Sequence, residues 1–378
     1  MRNLNFAALH RSIGLELQAL YSSWHLQRCI CLSLLLSAVM RHKTVNLSDL
    51  SEDLQPGVKP NSSYSRLQRF FRQVRFPRVH LARWILQQVY EAEHGIHFCL
   101  DRTNWYFGSK PVNILMLSID FRGSALPFLW LMIPHGGCSS TEMRIKLLKQ
   151  ALRIVRQLYP SEKPSVLADR EFVDTDWLAF LKANEVRFGI RLKTTNSVTN
   201  KKGKPNSVKK LFQGLPRGRF ESTGKRRVLG IYCYVSAFKG FDGGIYAIAH
   251  FEKLDYPQQA FTLYSKRWKV ETLFQNLKSR GFHFEDTHFT KPARISKLIA
   301  VLALACLWAL KAGWTTGDDA NRLKTKKHGR LAVSLFTQGR KFIVNKLCDF
   351  RDTWNLFQIL ITPFQNQPQI KSLQRLLT

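Results

Sequence analysis

One helix carries most of the chemistry that can be read from this chain. The spacing predicts it from about Pro257 to Arg280, with Asp255 and Pro257 at its start and Gly281 at its end. It holds a single acid, Glu271. Tyr264, Arg267, Glu271 and Lys278 recur at offsets that, at about 100° per residue, place all four within a sector of roughly 60°. Leu263, Val270, Leu273, Phe274 and Leu277 fall on a second, apolar face. A phenol, a guanidinium, a carboxylate and an ammonium thus share one stripe. An ordinary charged face with i,i+4 pairs is one explanation. The other is a metal-ligating carboxylate with groups beside it that hold phosphates.

Two further acids end strand-like runs: Asp101 after His97–Leu100, and Asp169 after Val166–Ala168. On a two-residue alternation Asp101 points away from Ile96, Phe98 and Leu100, which form the buried face. Two Asp and one Glu converging at one sheet edge can hold two divalent cations about 3.5–4 Å apart. One would activate a water or a 3′-hydroxyl, and the other would stabilise the leaving oxygen of an in-line phosphoryl transfer. All-oxygen ligands point to Mg²⁺, with Mn²⁺ as a substitute. Asp120, Glu171, Asp174 and Asp176 compete for these roles, although Asp174 and Asp176 are better explained as helix caps.

The elements that would position these residues follow from periodicity. His97–Asp101, Val112–Asp120 and Leu126–Ile133 read as strands, Thr141–Leu158 as a helix capped by Ser140 or Thr141, Val166–Asp169 as a strand, Asp176–Val186 as a helix and Arg187–Lys193 as a strand. That order predicts an α/β fold with a mixed sheet flanked by helices. Residues 194–254 interrupt it as a basic, β-rich insertion with Lys201, Lys202, Lys204, Lys209 and Lys210 and strand patterns at Val228–Phe238 and Ile245–Phe251. Its aromatic residues either stack on bases or fill a small β core.

Residues before about 92 read as helical and basic. Leu47, Leu50 and Leu54 mark one helix, and Pro56-Gly57 and Pro60 break it. Ser62 or Ser63 would cap the next, which carries Arg66, Arg69, Arg72 and Arg75 above Leu67, Phe70 and Phe71. That helix suits a DNA groove, or it is a solvated basic face. Beyond 282 the chain reads as helical, with a basic loop at Arg322–Arg330.

Composition narrows the class. Of 378 residues 45% are hydrophobic, which excludes global disorder. Lys and Arg number 58 against 26 Asp and Glu, a net charge of +32, which favours a polyanionic partner, nucleic acid above all. The seven Cys form no CxxC pair, so neither zinc-finger spacing nor a disulfide framework is expected, and a reducing cytosol is the natural compartment. No signal peptide is apparent at the start. The apolar runs Cys29–Met40 and Leu298–Leu310 are short of the roughly twenty residues of a membrane span and read as core helices.

The string Tyr264-x2-Arg267-x3-Glu271-x6-Lys278 resembles the YREK box of DDE transposases from bacterial insertion sequences. Asp101 after an apolar strand, Asp169-Arg170 in VLADREF, the basic insertion and LKSRGFHFEDTH after the box extend the resemblance over about residues 95–315. It implies a ribonuclease H-like catalytic domain of the cut-and-paste type, split into 94–193 and 255–315 around the insertion. Residues 1–93 would bind end DNA, and 316–378 would form a helical C-terminal region serving dimer or DNA contacts. Asp101, Asp169 and Glu271 would ligate metal. Tyr264, Arg267 and Lys278 would position phosphates, with Arg66, Arg69, Arg72, Lys209 and Lys210 as further DNA contacts.

The resemblance further implies a homodimer acting on double-stranded DNA, both terminal inverted repeats and target. It implies nicking that frees a 3′-hydroxyl, second-strand cleavage through a hairpin in many cases, and joining to the target, in a bacterial cytoplasm at the nucleoid and without a membrane. Two other readings stand beside it: another ribonuclease H-like nuclease or resolvase, and a DNA-binding derivative without catalysis. The acids weigh against the last, because binding alone does not require three carboxylates that would repel the phosphate backbone.

Overall fold

The chain opens with helices: α1 (Arg2–Leu20), α2 (Leu26–His42), α3 (Leu47–Ser51), α4 (Pro60–Gln73) and α5 (Arg78–Val89). They are seen in a computed structural model that describes residues 2–317 and 333–347. The basic stretch Arg322–Arg330, Cys348 and everything past 347 lie outside the described residues.

α2 is apolar nearly all round and is buried from Cys31 through Met40, as a core helix should be. α4 buries Leu67, Phe70 and Phe71 and leaves Arg69 and Arg72 in solvent. It starts earlier than its serines suggest, with Lys59 as the N-cap and Pro60 in the first turn. The fixed φ of proline is preset for that position and its missing N–H costs nothing there.

Then come β1 (His97–Phe107), β2 (Lys110–Phe121), β3 (Ser124–Ile133), α6 (Thr141–Leu158), β4 (Ser165–Ala168), α7 (Thr175–Ala183) and β5 (Arg187–Leu192). The expected order β-β-β-α-β-α-β is present. Ser140 Oγ caps α6 by accepting the Met143 N–H at 3.3 Å, and Asp174 caps α7 by accepting the Trp177 N–H at 2.8 Å. Asp101 lies in the middle of β1 rather than at its end, because the strand continues toward the short turn that leads into β2.

The insertion contributes β6 (Ser197–Thr199), β7 (Pro205–Ser207), α8 (Val208–Leu211), β8 (Phe220–Ser222), β9 (Arg226–Val228), β10 (Ile231–Lys239) and β11 (Ile245–His250). The strands run β3-β2-β1-β4-β5-β11-β10-β9-β6-β7, with β8 also on β10. β1, β4 and β5 are parallel neighbours; β2–β3 and β5–β11 are antiparallel. This is a mixed sheet flanked by helices, the α/β architecture that the order of elements predicts. The insertion extends the same sheet instead of standing apart. β11 is buried over Ala247–His250, so both of its edges need a partner.

The predicted helix 257–280 is two helices, α9 (Gln258–Ser265) and α10 (Trp268–Leu277). At their junction the backbone bonds tighten to i→i−3: Arg267 N–H to Tyr264 O at 2.9 Å, and Val270 N–H to Arg267 O at 2.9 Å. No Gly or Pro stands there, so the break is tertiary in origin.

α11 (Pro292–Gly317) and α12 (Leu335–Lys346) follow. The apolar run at Leu298–Leu310 belongs to a helix twice its length, because Pro292–Lys297 and Lys311–Gly317 extend it with less apolar residues. Pro292–Thr315 is therefore long and apolar enough to cross a membrane, but 89% of its apolar window is buried within the fold.

The described residues form two units. One combines the chain up to Glu91, Trp105–Lys110 and the chain from Phe274 onward; the other combines Ala92–Asn104 and Pro111–Leu273. In the first, α11 and α12 approach so closely that a Cβ on Gly339 would collide with the Ala309 carbonyl, and one on Gly313 with the Leu335 carbonyl. Gly339→Ala should destabilise the fold by about 1–3 kcal/mol, the range for overpacking a close contact, read as a lower urea midpoint. An unchanged midpoint would mean that the helices do not touch there.

His10 in α1 is buried, with Nδ1 2.7 Å from Ser33 Oγ. Burial, aided by Arg41 and Arg66, lowers its pKa to about 3. The fold thus favours the neutral ring, whereas the unfolded chain takes up a proton near pH 6.5. The stability it contributes is complete above about pH 6.5 and is lost as the pH falls toward 3. Between pH 6.5 and 5 the stability of the wild type should fall by up to roughly 2 kcal/mol more than that of His10→Gln, measured by urea unfolding at each pH. Parallel pH profiles would refute this.

Candidate active site

The register of two parallel strands brings the first two acids together. Leu100 on β1 pairs with Ala168 on β4, so the next residues, Asp101 and Asp169, stand level on adjacent strands. Ile190 on β5 pairs with Ala168, which sets Arg191 level with Asp169 in turn. Arg191 lies 4.0 Å from Asp169 Oδ1 and stacks 5.2 Å over the Tyr246 ring. The third acid, Glu271, comes from α10.

Arg267, in the tight turn before α10, ties the set together. Its two terminal nitrogens donate to Asp101 Oδ2 at 3.0 Å and to Glu271 Oε1 at 2.7 Å. Tyr264 donates its hydroxyl to Asp169 Oδ1 at 3.2 Å, and the Arg267 guanidinium lies 5.5 Å over the Tyr264 ring. The Arg102 backbone N–H donates to the other oxygen of Asp101 at 2.8 Å. Asp101, Arg267 and Glu271 thus form one hydrogen-bonded group and Tyr264 and Asp169 a second, and the guanidinium over the Tyr264 ring joins the two within one unit.

The electrostatics of this network are unbalanced. Burial pushes the Asp101 carboxyl up to about 6, with Asp169 and Glu171 adding to the rise, although the Arg102 N–H and Arg267 pull the other way. Burial likewise pushes the Tyr264 phenol up to about 12. Burial works against the charge on Arg267 too, but Tyr264, Glu271 and Asp101 together outweigh it and hold the guanidinium charged. Even with that cation in place, the Asp101 carboxyl stays above its ordinary range.

Three carboxylates at one site suit a divalent cation by donor chemistry. In this arrangement the Arg267 guanidinium is the cation that Asp101 and Glu271 share, and Arg191 stands 4.0 Å from Asp169. Among the described residues, no group of three or more His, Cys, Asp or Glu side chains is gathered as a metal cage.

The competing acids are engaged elsewhere. Asp120 pairs with Lys269 at 2.9 Å and Lys266 at 4.0 Å, Glu171 with Arg102 at 2.8 Å, and Asp174 caps α7 and pairs with Arg144. Asp176 is exposed in the first turn of α7. Lys278 lies in the other unit, where it pairs with Glu285 at 2.7 Å and sits over Trp105. Arg69, Arg72, Lys209 and Lys210 are exposed, while Arg66 is half-buried and donates to Gln55 at 2.9 Å. Sequence reasoning missed Arg191 and Arg102, which depend on strand register; the one signal was the alternation of Arg191 with Ile190 and Leu192.

The chain belongs to the transposase DDE-domain family of DNA transposases, whose profile matches residues 95–308, more than half of its length. Members of that family generally use divalent metal ions. Solved structures with similarity include the piggyBac transposase synaptic complex with hairpin DNA, at TM-score 0.46 and 13% identity over 93% of this chain and 75% of that one. They also include Marinitoga piezophila Argonaute with guide RNA and target DNA, at TM-score 0.23 and 11% identity over 65% of this chain and 34% of that one. No curated protein sequence matches the chain.

Tyr264→Phe removes only the hydroxyl that Asp169 accepts. It should cost about 1 kcal/mol, the usual worth of one hydrogen bond, seen as a lowered urea midpoint. A midpoint equal to that of the wild type would place the phenol outside the network.

Proposed function

We propose that this DNA transposase binds the terminal inverted repeats of its element, cleaves at the ends and joins the freed 3′-hydroxyls to target DNA. Asp101, Asp169 and Glu271 are the metal ligands of this reading, with two Mg²⁺ per site and Mn²⁺ as a substitute. The observation that carries it is the convergence of three acids: Asp101 on β1 level with Asp169 just past β4, and Asp101 joined to the helix acid Glu271 through one buried arginine. A bound divalent cation would lower the pKa of an attacking water or 3′-hydroxyl and neutralise charge on the scissile phosphate.

The chain's own residues supply the rest. Arg267 and Arg191 offer guanidiniums that can take phosphate oxygens in bidentate fashion. Tyr264 orients Asp169. Lys278 belongs to this reading as a phosphate contact of the YREK box. Exposed Arg69, Arg72, Lys209 and Lys210 support DNA binding by residues 1–93 and by the insertion, which Arg66 would join. A homodimer would hold the two ends.

The test uses purified protein and a labelled duplex that carries one of the repeats flanking the gene. It is incubated with Mg²⁺ or with EDTA, and repeated with Asp101→Asn and Glu271→Gln. Cleavage at the repeat boundary should require the metal and both acids, with a loss of at least about a hundredfold in either variant while duplex binding persists. Metal-independent binding without a cut under any condition would favour a DNA-binding derivative that has lost catalysis.

A further inference from the structure

Arg267 is buried more deeply than either acid it holds. Its side chain is 7% exposed, against 19% for Asp101 and 37% for Glu271. A guanidinium kept only to meet DNA would gain from standing in solvent. This one has been taken out of water to face two carboxylates, and its Nε is buried without a protein hydrogen-bond partner. The position therefore satisfies its charge but not all of its donors.

The oxygens it takes matter. Asp101 Oδ1 already accepts the Arg102 N–H, so Arg267 holds the other oxygen, Oδ2, together with Glu271 Oε1. A cation coordinated by both acids would meet the guanidinium at these carboxylates, where Asp101 Oδ2 and Glu271 Oε1 already accept from it. The neighbouring bases do not replace Arg267 there: Lys269 and Lys266 face Asp120, and Arg102 faces Glu171.

We infer that Arg267 is a built-in counter-ion that competes with a divalent cation for Asp101 and Glu271, and that a DNA phosphate drawing Arg267 away favours metal binding. This rests on the reading of Asp101, Asp169 and Glu271 as metal ligands. Both positive groups bind the same acids, and the guanidinium and the metal repel each other, so the site takes one or exchanges it for the other. A phosphate offers Arg267 a planar, bidentate partner in exchange for the carboxylates. Metal and DNA then help each other to bind, each by the same factor, as linkage requires. Glu271, the most exposed of the three, is the side on which the exchange can begin.

The test is Mn²⁺ affinity, read from the electron paramagnetic resonance signal of free Mn²⁺ with the full chain. Arg267→Gln should bind Mn²⁺ about tenfold more tightly than the wild type, within the usual range of coupling between sites. Arg267→Lys, which keeps the charge but loses the fork, should fall between them and serves if the Gln variant fails to fold by circular dichroism. A short duplex of arbitrary sequence, corrected for the Mn²⁺ it binds alone, should tighten Mn²⁺ binding to the wild type severalfold and leave Arg267→Gln nearly unchanged. Asp101→Asn and Glu271→Gln should each weaken Mn²⁺ binding. If they do but the Arg267 variants bind no more tightly than the wild type, the counter-ion role falls and the ligand reading stands. If Asp101→Asn and Glu271→Gln bind Mn²⁺ as the wild type does, the ligand reading falls and takes the inference with it.

Discussion

Asp101 is a buried carboxylate with Asp169 level beside it, and the cost of burying that charge is the constraint around which the site is arranged. Burial is the main cause of its raised pKa, and Asp169, about one strand spacing of 4.8 Å away, adds to it. The chain meets this with groups from three directions: Arg191 from β5, Tyr264 from α9 and Arg267 from the turn before α10. Arg267 stands at the tightened turn between the two helices, where its guanidinium reaches Asp101 and Glu271 at once.

A protein with a charge of +32 would be expected to have spare cations at every acid. The pairing is more selective. Asp120, Glu171 and Asp174 each meet a dedicated base at close range and are settled as structural ion pairs. The catalytic candidates are left undersupplied, one guanidinium between two carboxylates and a second 4.0 Å from the third. That asymmetry separates the two classes of acid better than burial does. A site that is to accept a cation must stay short of charge until the cation arrives. A structural acid gains nothing from being left so.

Much of this was legible in the sequence where local and global preferences agreed. α6 occupies Thr141–Leu158 as its apolar spacing and its serine cap dictate. The strand–helix alternation fixed the mixed sheet. The two Asp and Glu271 were visible as rare acids at strand and helix positions. What stayed hidden depends on pairing. Nothing in GIRL tells which strand lies next to it, so Arg191 gained its meaning only from the Ala168–Ile190 register. The helical spacing places Arg267 on a polar face, yet it is buried, because a charged side chain goes inside only where a partner such as Asp101, far off in sequence, meets it. Asp101 looks like a strand end in the sequence because the residues after it, Arg102, Thr103 and Asn104, are polar and hide the continuation of β1.

The reach of Tyr264 to Asp169 rests in turn on how closely α9 lies against the sheet. α9 packs on β5, β10 and β11, so the helix bearing the site sits partly on strands of the insertion. At Gly189 of β5, a Cβ would come within 3.1 Å of Leu167 and 3.9 Å of Leu263. Leu263 immediately precedes Tyr264. A larger residue at 189 would press on Leu167 in β4 and on α9, and these two elements carry the two ends of the Tyr264–Asp169 hydrogen bond. The insertion therefore helps to build the platform for the site. β11 pairs with β5 along its edge and supplies Ile248, whose side chain also lines the space at Gly189. An insertion that only contacted DNA could be shortened without disturbing the acids. One that completes the sheet beneath α9 cannot.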